Sequence, residues 1–131
     1  MIKFFLKKKL LFYFINFLVI FLYVFPGSIL GLIVYNDISV QPQVTPDLVI
    51  SSNHFFVFLF LTLVGFLSYL DTIDRKKLII YLIFLSIILE IFHLAIPERS
   101  FQWSDLFGNL IGVLVVIFLN NLINKYGFFK K

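Results

Sequence analysis

The chain has 131 residues, of which 61% are hydrophobic and 14% charged, against about 25% charged in a soluble domain. This excludes an ordinary soluble enzyme domain and indicates an integral membrane protein, with a length that suits one domain over residues 1–131. The lack of cysteine excludes disulfides, a thiolate nucleophile and a zinc–thiolate site. The net charge of +4 does not mark a nucleic-acid surface, because the basic residues sit in short clusters between apolar runs, as membrane topology requires.

A membrane-crossing helix needs ~20 apolar residues. Four segments qualify, at about 10–35, 54–70, 78–96 and 106–123. The expected fold is therefore all-α, an integral-membrane four-helix bundle. Pro26-Gly27 lies inside the first segment and kinks that helix or loosens its final turn. Lys7, Lys8 and Lys9 before an apolar run also fit the start of a signal peptide. That reading is weaker, because the run exceeds a ~7–15-residue signal core and no small-x-small cleavage site follows.

Orientation follows from the short connections. Lys3, Lys7, Lys8, Lys9, Arg75, Lys76, Lys77, Lys125, Lys130 and Lys131 fall on one side, and Arg99 alone on the other. By the positive-inside rule both termini are cytoplasmic, and the turn at 97–104 faces outward.

This topology brings polar residues of three segments to the outer half. His54 opens the second segment. Glu90 lies seven residues before Pro97, ~10 Å along a helix, and His93 shares its face at i+3. Arg99 sits in the turn, and Ser104 or Asp105 is placed to cap the fourth helix. Asp105, Asn109 and Gly112 form one stripe at i, i+4 and i+7. An ionisable group at membrane depth costs ~2.5–3.5 kcal/mol or more, so such groups mark sites or helix locks. The candidate ligand-binding set is His54, Glu90, His93, Arg99, Asp105 and Asn109, with Glu90 and His93 the candidates for catalysis.

Each also has an ordinary reading: solvation for His54, a helix cap for Asp105, an ion pair or lipid phosphate for Arg99, helix packing for Asn109 and Gly112. Glu90 is the hardest to explain that way, because a buried acid needs a partner or a proton. Asp37, Asp47, Asp71 and Asp74 read as solvated loop residues, and the inner halves of the segments carry no comparable cluster.

Glu90-x-x-His93 is the pair used in di-iron bundles, which need two such pairs. With one pair here, only a mononuclear site completed by His54 and Asp105 is open, and the expected set of metals and cofactors is none. There is no Gly-x-Ser-x-Gly elbow, nor any nucleotide, haem or flavin motif.

The pattern Glu90-x-x-His93-x-x-x-Pro97-x-Arg99-Ser100-Phe101, followed by Asp105-Leu106-x-x-Asn109-x-x-Gly112, resembles the VanZ-like family of bacterial membrane proteins. His54-Phe55 at the start of the second segment is similar to that family as well. The resemblance covers about residues 50–120. Two positions depart from it: His93 stands where the family commonly has glutamine, and Ser52-Asn53 where it commonly has Asp-Lys. The resemblance implies a multi-pass protein of the bacterial cytoplasmic membrane. It further implies a link to the cell envelope and to glycopeptide susceptibility of the teicoplanin type.

Three functions fit these readings. The preferred one is a non-enzymatic protein whose outward polar pocket binds a membrane lipid or lipid-linked envelope precursor. In it, Arg99 holds an anionic group, Asn109 and His54 add hydrogen bonds, and Glu90 and His93 order the floor. The second is an acid/base hydrolase or transferase acting on a lipid-linked substrate through Glu90 and His93. The third is an accessory subunit whose polar cluster only locks helices.

Overall fold

A computed structural model describes residues 2–69 and 72–126, with the backbone alone at 2–8 and 72. Leu70, Asp71, Lys130 and Lys131, read above as span end, loop and cytoplasmic tail, lie outside the described residues. So do the side chains of Lys3, Lys7 and Lys8.

The fold is all-α. The described residues form five helices and no strand: α1 (Ile2–Val24), α2 (Ile29–Tyr35), α3 (Ser52–Ser68), α4 (Thr72–Phe92) and α5 (Trp103–Tyr126). The segment expected as one span at 10–35 is two helices meeting at 79°. Pro26 has no N–H to donate, so the α1 ladder stops before it. Gly27 then takes φ +74°, and a Cβ there would stand 2.5 Å from Ile38 Cγ1. Ser28 is extended and its Oγ accepts from Gly31 N at 2.9 Å, which starts α2.

Two other boundaries move. The third segment, read as 78–96, leaves the helix after Phe92. His93 N, Leu94 N and Ala95 N bond back three residues, to Glu90 O, Ile91 O and Phe92 O, and this tightened turn leads to Pro97. The fourth helix starts at Trp103, not at 106. Ser104 and Asp105 are thus in its first turn and not its cap, and the Gln102 carbonyl accepts from Asp105 N and Leu106 N.

Helices α3 and α5 make the closest approach. Gly108 and Gly112, four apart on one face of α5, meet the α3 backbone directly. A Cβ on Gly108 would lie 2.7 Å from Ser51 O, and one on Gly112 2.5 Å from Phe55 O. Small residues at this spacing let helix backbones touch. Around this seam Phe58, Leu61, Leu82, Leu89, Val113 and Val116 form the buried core.

One end of the bundle holds Lys9 of α1 beside Asp74 of α4, and Arg75 beside Asn120 of α5. The other end holds Tyr23, His54, Glu90 and Asp105. Among the described residues α5 alone is long and apolar enough to cross a membrane, and the bent α1–α2 pair passes as one broken span. Helix α3 is apolar but has 17 residues, and α4 carries Asp74, Arg75, Lys76 and Lys77 at its start and Glu90 near its end. Phe14, Phe17, Phe60, Leu67, Phe84 and Phe118 are exposed on the outer faces of the helices.

Candidate functional site

The broken end of α1 organises the site. Pro26 cannot donate to Leu22 O, its partner in an unbroken ladder, and the next carbonyls lose theirs as the helix stops. Arg99 takes two of the freed carbonyls: its Nη2 donates to Leu22 O at 3.1 Å and its Nε to Phe25 O at 3.3 Å. A guanidinium also suits the negative end of a helix dipole. His93 takes a third, with Nε2 3.2 Å from Tyr23 O. A carbonyl only accepts, so Nε2 carries the proton in this contact.

Beneath this cap lies a buried array of titratable groups. Glu90 is 0% exposed, His93 2% and His54 5%. Glu90 Oε1 accepts from Gln102 N at 3.0 Å. Its Oε2 faces His93 Nδ1 at 3.3 Å and His54 Nδ1 at 3.8 Å. The other side of the His54 ring faces Asp105, with Nε2 3.4 Å from Oδ2. Glu90 Oε2 and His54 Nδ1 are both buried, and neither has a hydrogen-bond partner. Most buried polar atoms are satisfied, so this pair requires an explanation.

Tyr23, which the sequence reading passed over, joins the array to the rest of the bundle. Its hydroxyl donates to Asn109 Oδ1 at 2.7 Å, its ring stacks on His93 at 5.8 Å and meets His54 edge-on at 5.1 Å. Asn109 Nδ2 in turn donates to Ser86 O at 3.2 Å. The available signal was a tyrosine just before a helix-breaking proline, at the end where His54, Glu90 and Asp105 gather.

The six predicted residues therefore separate by role. His54, Glu90, His93 and Asp105 come together. Asn109 is tied in through Tyr23 and holds α5 to α4. Arg99, in the connection between α4 and α5, stands apart against the end of α1, and no carboxylate among the described residues lies within ion-pair distance of it. Burial lowers its pKa, against the pull of Tyr23, Glu90 and Asp105, and it stays a cation.

Beside the array is an apolar groove of about 390 Å³ between α1, α2 and α3. Leu18, Leu22, Tyr23, Val57, Phe60, Asn53 and Arg99 are among the residues that line it. Of the six candidates only Arg99 lines it. The expected polar pocket is thus two features, a closed polar array and an open apolar groove, with Tyr23 between them.

The segment at 36–51 closes over this end because α3 holds it. Asn53 Nδ2 donates to Pro42 O and Asn53 Oδ1 accepts from Val44 N. Ser52 Oγ donates to Thr45 O, and Asp47 accepts from Ser52 N. Asp47 is thus a distal cap for α3 and not merely a solvated loop residue. Asp37 bonds both the N–H and the hydroxyl of Ser39, which hold its carboxyl below the usual range. Asp74 pairs with Lys9.

No protein family, curated protein or solved structure matches the chain.

Proposed function

We propose that the protein is a multi-pass membrane protein of the VanZ-like kind, with both termini cytoplasmic, that binds an amphiphile or lipid-linked envelope component from the outer leaflet. The observation that carries this reading is the apolar groove with Arg99 as the charged residue of its lining. A hydrocarbon chain fits the walls formed by Leu18, Val57 and Phe60. Two of the five N–H groups of Arg99 are bound to helix carbonyls, which leaves three for a phosphate or carboxylate. Exposed phenylalanines around the bundle and the ten-to-one distribution of basic residues support the membrane setting. The motif from Glu90 to Gly112 supports the family. An effect on glycopeptide susceptibility of the teicoplanin type would follow from capture of an acylated, anionic molecule at this face.

Native mass spectrometry of the detergent-purified protein tests the reading. Wild type should retain a bound lipid, and Val57→Trp, which fills the groove without touching Arg99 or the array, should lose it. Wild type without lipid, or equal retention by Val57→Trp, would refute binding in the groove.

A further inference from the structure

Two buried atoms, Glu90 Oε2 and His54 Nδ1, have no hydrogen-bond partner, and the lipid reading makes no use of them. Both residues belong to a tighter group within the array. One nitrogen of His54, one oxygen of Glu90 and one oxygen of Asp105 all lie within 4.8 Å of one another. The two carboxylates are held from outside this group. Glu90 Oε1 accepts from Gln102 N at 3.0 Å, and Asp105 Oδ1 accepts from Ser104 Oγ at 3.2 Å. Each carboxylate then turns its other oxygen to the His54 ring, Glu90 Oε2 standing 3.8 Å from Nδ1 and Asp105 Oδ2 3.4 Å from Nε2. His93 is not in the group. Its Nε2 is committed to Tyr23 O, and its ring stands against Glu90, with Nδ1 3.3 Å from Oε2.

Two carboxylates this close repel, and little solvent screens them, with the Glu90 side chain 0% and the Asp105 side chain 15% exposed. A proton on His54 would offset the charge, but a proton acts along one N–H bond. The two ring nitrogens point to opposite sides, so carboxylates hydrogen-bonded in line to both would stand far apart, not within 4.8 Å of each other. Nor does His54 Nδ1 have an acceptor, or Glu90 Oε2 a donor. An ion acts from a common centre instead. Donors bonded at ~2.1 Å to one ion lie up to ~4.2 Å apart, so this group closes on an ion through small side-chain rotations. The outer contacts are those of a metal centre too. Ligating carboxylates are themselves hydrogen-bonded, as Glu90 is by Gln102 N and Asp105 by Ser104 Oγ.

We propose that His54, Glu90 and Asp105 bind a divalent transition-metal ion through one imidazole nitrogen and two carboxylate oxygens, with His93 steadying Glu90 from outside the ligand set. Two hard oxygens and one imidazole suit manganese, ferrous iron or zinc, and the lack of a soft ligand disfavours copper(I). Asp105 is the least buried of the three, so the ion enters past it. Three protein ligands leave a position open, as in metal centres that also hold water or a substrate atom. The site is independent of the groove.

The test uses the full chain, purified without a polyhistidine tag, stripped with chelator and dialysed against Mn²⁺ or Zn²⁺. Wild type should hold about one equivalent by elemental analysis and melt at a higher temperature with either ion than with chelator. Asp105→Asn keeps the side-chain shape and an oxygen for Ser104 but loses the charge, and should weaken binding by at least about tenfold. Electron spin-echo spectra of Mn²⁺ bound to wild type should show coupling to the nitrogen of one histidine. Wild type that takes up neither ion overturns the site, whether or not any variant folds. Asp105→Asn that binds as wild type does overturns it, and so does a spectrum with no histidine or with two. Since lipid retention is read separately, failure of the metal site leaves the groove untouched, and the reverse.

Discussion

The two ends of the bundle use similar groups in opposite ways. At the lysine end Lys9 pairs with Asp74 at 3.3 Å, both around two-fifths exposed. Tyr69 bonds Tyr13 at 2.9 Å and Tyr81 bonds Asn16 at 2.9 Å, and these residues line an open cavity of about 490 Å³. At the histidine end Glu90, His54 and His93 are almost wholly buried. The charge separations are alike, but the medium is not. A pair at ~4 Å is worth about 1 kcal/mol in water and about 4 kcal/mol at an effective dielectric of 20. The groups at the lysine end can satisfy themselves with solvent, whereas those at the histidine end depend on partners placed by the fold.

The sharpest test of this contrast is at the glycines. A methyl on Gly112 would meet Phe55 O at 2.5 Å and Leu59 N at 2.9 Å, both backbone atoms, whereas one on Gly65 would meet side-chain carbons of Leu78 and Phe12 at 3.0 and 3.1 Å. Gly112→Leu should cost about 3 kcal/mol, the upper part of the usual overpacking range, because α3 and α5 must separate. Gly65→Ala should cost less than about 1 kcal/mol, since side-chain ends can shift and alanine favours the helix. Thermal unfolding in detergent, followed by circular dichroism, measures both. Equal losses would mean that the seam is no more rigid than the rest of the bundle.

A smaller effect is expected at Tyr23. Tyr23→Phe keeps the ring against His54 and His93 but leaves Asn109 Oδ1 without its donor in the core. The loss should be about 1–2 kcal/mol, while Tyr13→Phe at the half-open lysine end should change stability by under about 0.5 kcal/mol. If the two variants unfold alike, water reaches Asn109 and the histidine end is wetter than its packing indicates.

How much of this was legible follows from the same physics. The all-α fold and the gathering of His54, Glu90, His93 and Asp105 could be read, though not the division of the first segment into two helices, because charged groups in an apolar sequence are conspicuous and helical spacing fixes their faces. The direction of Arg99 could not, since its partners are backbone carbonyls freed by Pro26, and backbone groups have no signature in composition. Tyr23 was hidden by its ring, which counts as apolar while its hydroxyl bonds Asn109. The cluster at the lysine end was missed for that reason as well, as Tyr13, Tyr69 and Tyr81 supply most of it. Gly108 escaped notice although Gly112 was read, because its importance lies in how close Ser51 comes.

The Lys9–Asp74 pair gives the smallest predicted change and the best control. Its two side chains reach across from α1 to α4, and Lys9 Nζ also stands 4.7 Å from the centre of the Tyr69 ring. Both contacts are open to solvent, and exposed pairs contribute about 0–1 kcal/mol. Lys9→Met keeps the apolar stem that packs along the helix and removes only the charge, so stability should fall by no more than about 0.5 kcal/mol, with salt reducing even that. A loss as large as that of Tyr23→Phe would show that the cavity at the lysine end excludes water, and the contrast between the two ends would then rest on geometry alone and not on burial.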